Sequence, residues 1–177
     1  MQNMPIQQHG THPFWDIIHT VENFPKAGID FFDISPLLNG HQQALVQALI
    51  DAVPSDVFAE CDYLCAIDAR GFILASMLAI KLDKPLIIVR KKGKLPPPVF
   101  SYSYGLEYGT DTLEISQNIQ SGKVLIIDDV LATGGTLTAC QKLCEMAGHQ
   151  VLGALVLLDL PILHKQLDMP IFNVLSK

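Results

Sequence analysis

The chain has 177 residues, 49% of them apolar and 17% charged, with a formal charge of −6. That length suits one domain with a full core and excludes an intrinsically disordered chain, while the acidic balance argues against a nucleic-acid binder, which carries a basic face. Mean hydropathy is high at +0.30, yet the longest uncharged apolar run, Val151 to Leu158, is far below the roughly 20 residues a membrane helix needs. Residues 1–12 hold no Lys or Arg and no apolar stretch. No secretory leader is read there, and the cytosol is the expected compartment.

In chain order, residues 1–12 are polar and expected to fray. Phe14, Trp15, Ile17, Ile18 and Val21 predict a short amphipathic helix starting near Pro13. FPKAGIDFFDISPLL follows, punctuated by Pro and Gly. Leu45, Val46, Leu49, Ile50 and Val53 recur at helical spacing. Then short apolar runs (Tyr63–Ile67, Leu86–Val89, Val124–Ile127, Val151–Leu158) alternate with helical stripes, one over Gly71–Leu82 and one over Cys140–Ala147 that Gly148 ends. Runs apolar on both faces between helices predict an α/β fold: a doubly wound, mostly parallel sheet covered on both sides. Residues 90–112, RKKGKLPPPVFSYSYGLEYGTDT, break the rhythm. Cationic, aromatic and Pro-rich, with no helical stripe, they are expected to form a lid loop.

Four cysteines fall in two C-x3-C pairs, Cys61/Cys65 and Cys140/Cys144. The spacing is within the range of zinc sites, but Cys140 and Cys144 share a helix face with Leu143, and Cys65 lies in an apolar strand. They are read as core residues. The six histidines show no ligand spacing.

The chemistry concentrates in VLIIDDVLATGGT, residues 124–136. Apolar residues end in two carboxylates, Asp128 and Asp129, followed by a Thr-Gly-Gly-Thr turn and the start of a helix. Ligands of doubly wound sheets bind at the carboxyl ends of strands. Gly134 and Gly135 let a ligand approach the backbone, and N–H groups at a helix start suit an anion. Thr133 and Thr136 add hydroxyl donors. No Lys follows the glycines, so this is not a Walker A loop, and G-x-G-x-x-G is absent. Carboxylates would repel the anion, so they serve hydroxyls or a cation joined to it. A phosphorylated ribose held at both ends meets these demands.

With this string in place, the chain resembles the type I phosphoribosyltransferases, and within them the adenine branch. The likeness runs from Phe24 to about Val156. It includes FPKAGIDFFDISPLL as the N-terminal segment, AIDARGF as the pyrophosphate loop, and RKKGKLP and LEYGTDTLEI as the two ends of the lid. The resemblance implies one domain over 1–177, with a small hood and base-binding segment at 13–38 and a flexible lid at 91–112. It implies transfer of a phosphoribosyl group from 5-phosphoribosyl 1-pyrophosphate (PRPP) to adenine, giving AMP and pyrophosphate. The alternatives are a hypoxanthine or guanine enzyme and a non-catalytic PRPP-binding regulator. Asp128 and Asp129 would bind the ribose hydroxyls. Ala132, Thr133, Gly134, Gly135 and Thr136 would hold the 5-phosphate. Arg70, Lys91, Lys92 and Lys94 would meet the pyrophosphate. Asp30, Phe31 and Phe32 would border the base, and Glu107, with Arg70 a catalytic residue, would manage its proton. Mg²⁺ would be the cofactor, carried by PRPP near Asp128 with no direct protein ligand set. A homodimer is implied, with no nucleic-acid or membrane partner. Departures from the family pattern are Ala27, Phe32, Ala66, Ala69 and Pro97.

Overall fold

The computed structural model describes residues 12–106 and 109–177. After a 3₁₀ turn, Pro13–Asp16, come β1 (His19–Val21), β2 (Phe31–Asp33), α1 (Ser35–Leu38), α2 (Gln42–Asp51) and α3 (Ser55–Glu60). These are followed by β3 (Tyr63–Ile67), α4 (Arg70–Leu82), β4 (Leu86–Lys91), β5 (Val99–Leu106), β6 (Gly109–Ser116), β7 (Lys123–Leu131), α5 (Gly135–Met146), β8 (Gln150–Asp159) and β9 (Ile171–Ser176).

A seven-stranded sheet runs β5-β6-β4-β3-β7-β8-β9. β4, β3, β7, β8 and β9 are parallel, and β6 and β5 extend one edge antiparallel. The alternation within each strand explains the two-sided core. Leu64, Ala66, Leu125 and Ile127 face a layer with Leu45, Leu49, Leu74 and Leu78 of α2 and α4. Cys65, Ile67, Val124 and Ile126 face the opposite layer with Leu137, Cys140 and Leu143 of α5. The expected α/β, doubly wound, mostly parallel sheet is therefore observed. Among the described residues no helix is long and apolar enough to cross a membrane.

Three local expectations are corrected. The helix expected from Pro13 through Val21 ends at Asp16. His12 Nδ1 accepts from the Phe14 N–H at 3.2 Å, and His19–Val21 pair antiparallel with Phe31–Asp33 in a separate two-stranded sheet. Extended pairing suits β-branched Thr20 and Val21 better than a helix does. Most of 91–112, expected as a loop, is the β5–β6 hairpin. Its period is two: Phe100, Tyr102 and Tyr104 pack on the α5-side core, while Ser103 Oγ meets Thr112 Oγ1 at 2.8 Å across the strands. Finally, β7 continues past Ile127 to Leu131, so both aspartates lie within the strand, where pairing with β8 holds Asp128 opposite Val156.

Candidate active site

Two crossovers deliver the polar groups to one end of the sheet. From β3 the chain passes Asp68 and Ala69 and enters α4 at Arg70. Gly71 allows α4 to start directly against β7: a Cβ there would stand 2.7 Å from the Ile127 carbonyl and 3.2 Å from Asp128 Oδ1. This close approach brings Arg70 Nε to 2.7 Å from Asp129 Oδ2. The pairing is ionic and lacks hydrogen-bond direction, so Oδ2 is buried without a hydrogen-bond donor. The same guanidinium donates from Nη1 to the Phe32 carbonyl at 3.3 Å and lies over the Phe31 ring, 4.9 Å from its centroid. Arg70 therefore ties the β1–β2 sheet to the aspartate pair.

The two carboxylates share this single guanidinium. Burial, and then the adjacent Asp129 charge, push Asp128 well above the usual carboxylate range. Burial also raises Asp129, against the downward pull of Arg70. Asp128 Oδ1 accepts from the Asp129 N–H at 2.9 Å. A pair held this way is under-solvated and can take up hydroxyls or a cation.

After β7 the chain turns through Ala132, Thr133 and Gly134 into α5. Gly134 has φ +82°, a left-handed conformation that favours glycine. No side chain caps α5, so its first N–H groups face the turn free of an internal acceptor. The hairpin stands over this turn: Tyr104 Oη lies 3.4 Å from Thr136 Oγ1, and a Cβ on Gly135 would meet the Tyr104 ring at 3.8 Å.

A cleft of about 980 Å³ opens beside these groups. Asp30, Phe31 and Phe32, expected at the base, line it together with Arg70, Ala132 and Thr133, which were assigned to the pyrophosphate and the 5-phosphate. Its far wall, Leu160–Leu163, and the flanking Val130 and Lys177 were not singled out in the sequence. The usable signal was Pro161 just after a long apolar strand, at the carboxyl end where ligands bind. Ile162 is 89% exposed there, and the wall is fastened by His164 Nε2 to Asp159 Oδ1 at 2.7 Å. Lys177 Nζ sits 5.0 Å from the Phe32 ring centroid.

Lys91 and Lys94 are not among the residues that line this cleft. Lys91 Nζ pairs with Asp111 at 3.0 Å, and the Lys94 carbonyl accepts from Arg90 Nη1 at 3.3 Å. Arg90 in turn pairs with Asp68 at 3.2 Å. Asp111 itself stands opposite Tyr104 in the hairpin. Glu107 falls outside the described residues.

Residues 41–177 match the phosphoribosyl transferase domain family, and the chain belongs to it. The chain is 47% identical over 153 residues to an adenine phosphoribosyltransferase of Hydrogenovibrio crunogenus, covering 86% of this chain and 88% of the relative. Its structure is similar to that of the Rhodothermus marinus adenine phosphoribosyltransferase (TM-score 0.83, 39% identity, 93% and 96% of the two chains covered). It is likewise similar to the Saccharomyces cerevisiae enzyme, solved with an imino-altritol bisphosphate and adenine (TM-score 0.85, 34% identity, 92% and 96% covered). Within the family its place is the adenine phosphoribosyltransferase branch.

Proposed function

We propose that this chain carries out purine salvage, joining adenine to the phosphoribosyl group of PRPP and releasing pyrophosphate. One observation carries the reading: a paired-acid strand, an uncapped helix start after a glycine turn, and an arginine bridging to an aromatic-lined cleft all converge at the carboxyl end of the sheet's central strands. The acids accept the ribose hydroxyls, and the turn at 132–136 donates N–H groups to the 5-phosphate. Arg70 lies between the acids and the cleft, where it can neutralise charge growing on the departing pyrophosphate. The base occupies the cleft against Phe31 and the Leu160–Leu163 wall. Glu107 takes the proton that the purine loses, and Lys91 and Lys94 add positive charge beside the hairpin. The β5–β6 hairpin, placed over the turn, excludes water from the reacting anomeric centre. Residues 13–38 serve as the hood of one domain spanning 1–177.

Mg²⁺ fits the paired acids: Arg70 Nε occupies Asp129 Oδ2 at 2.7 Å, which leaves the adjacent Asp128 carboxylate without an ion pair among the described residues. When bound with PRPP, the ion would supply further neutralisation of the leaving group. Four free thiols suit the reducing cytosol. The homodimer rests on an apolar strip left open on the α4 side of the sheet: Ile73 and Ile80 of α4 with Leu86 and Ile88 of β4 are all exposed.

Purified protein given Mg²⁺, PRPP and each of adenine, hypoxanthine and guanine tests the activity. AMP and pyrophosphate should form from adenine. Turnover only with another base would move the enzyme to a different branch, and no turnover with any base would overturn the reading.

A further inference from the structure

Three of the four cysteines meet in the core, drawn from both sequence pairs. Cys65 comes from β3, while Cys140 and Cys144 lie one helical turn apart on the buried face of α5. The three sulfurs all lie within 4.8 Å of one another, with Cys65 and Cys144 3.6 Å apart. All three are free thiols with 0% exposure. Cys61 stands outside the group, its sulfur 2.9 Å from the Tyr63 carbonyl.

Three sulfurs bonded at about 2.3 Å to a common centre stand about 4 Å apart, so this triangle needs little rearrangement to hold an ion. Charge then selects the ion. Three thiolates around a monovalent ion leave two negative charges in an apolar core, and around a divalent ion they leave one. Either is strongly unfavourable without a buried counter-charge. A trivalent centre leaves none. Zinc also wants a fourth ligand, and among the described residues the group has three members. His149 influences Cys144 electrostatically, but its Nδ1 accepts from the Gly122 N–H at 3.2 Å. Its Nε2 therefore carries the proton and offers no lone pair.

We infer that Cys65, Cys140 and Cys144 form a binding site for a trivalent thiophilic metalloid, taken up as its neutral hydroxide: arsenite or antimonite. Three metalloid–sulfur bonds form and three metalloid–oxygen bonds break. Each thiol proton leaves with a hydroxyl as water, and no oxidation state changes. The product is a neutral, pyramidal three-sulfur centre that joins β3 to α5. Entry requires local opening of α5 from the sheet, so capture is slow and release slower.

The test incubates native protein with sodium arsenite, desalts it, and measures retained arsenic by mass spectrometry and its first shell by X-ray absorption. About one arsenic per chain in an all-sulfur, three-coordinate shell is expected. Cys140→Ala should lower retention by about tenfold or more, while Cys61→Ala retains the full amount. Should Cys140→Ala fail to fold, the absorption spectrum of the unsubstituted protein still decides. Negligible retention, oxygen in the shell, equal loss in Cys61→Ala, or displacement of arsenic by added Zn²⁺ would overturn the site.

Discussion

Asp128 shows how a proposed binding group strains its own fold. Burial and the neighbouring Asp129 raise its pKa, so the folded state disfavours the charged form. The sign follows from linkage: stability falls as pH rises from the unfolded carboxylate value, about 3.9, through the raised folded value, and at neutral pH the penalty is in force. Asp128→Asn should therefore stabilise the protein by about 1–2 kcal/mol in neutral denaturant melts. The same variant should lose PRPP-dependent turnover. A destabilised Asp128→Asn would show that the carboxylate is satisfied in the folded protein. Gly71 is a second single-residue constraint. Because its Cβ position falls 2.7 Å from the Ile127 carbonyl, Gly71→Ala must push α4 off β7, and a loss of about 2–4 kcal/mol is expected in the same melts.

At the level of elements, the wall after β8 carries its own pH dependence. His164 is pushed down by burial, but the Lys165 carbonyl and the Asp159 carboxylate outweigh this and raise it overall. A raised histidine contributes stability that is complete below the unfolded value, about 6.5, and disappears as pH rises through the folded one. His164→Gln should thus be less stable than the parent at mildly acidic pH by about 1 kcal/mol and converge with it at alkaline pH; parallel curves across that range would refute the linkage. The elements also differ in how readable they were. The β3, β7 and β8 strands and both long helices follow from buried runs and stripes that admit one packing. The β5–β6 hairpin hid behind Pro96–Pro98 and scattered glycines, although Ser101-Tyr102-Ser103-Tyr104 alternates as a strand should. The strand β1 hid inside an apolar pattern that fits a helix equally well, because its pairing partner lies ten residues downstream in β2 and pairing is not a local property.

For the whole molecule, the proposed anion and ribose half of the site was legible because backbone chemistry demands particular residues in one contiguous string, 124–136. Of the proposed base half only the 30–32 segment was. The opposing wall at 160–163 is apolar without a motif, and only the sheet's topology brings it beside Phe31. The exposed strip of Ile73, Ile80, Leu86 and Ile88 belongs to this scale too. Sedimentation of the purified protein should give a dimer, and Ile80→Glu should shift it toward monomer by burying an unpaired charge in the contact. A monomeric parent would remove the strip's assigned role.

The bridge made by Arg70 has an implication for the order of events. Any pentose hydroxyl that engages Asp129 competes with the guanidinium for the same carboxylate oxygen, and the guanidinium is also what steadies the Phe31–Phe32 strand. The proposed sugar and nucleobase sites would therefore be thermodynamically coupled through one side chain. Whatever factor the first ligand changes in the affinity for the second, the second returns to the first.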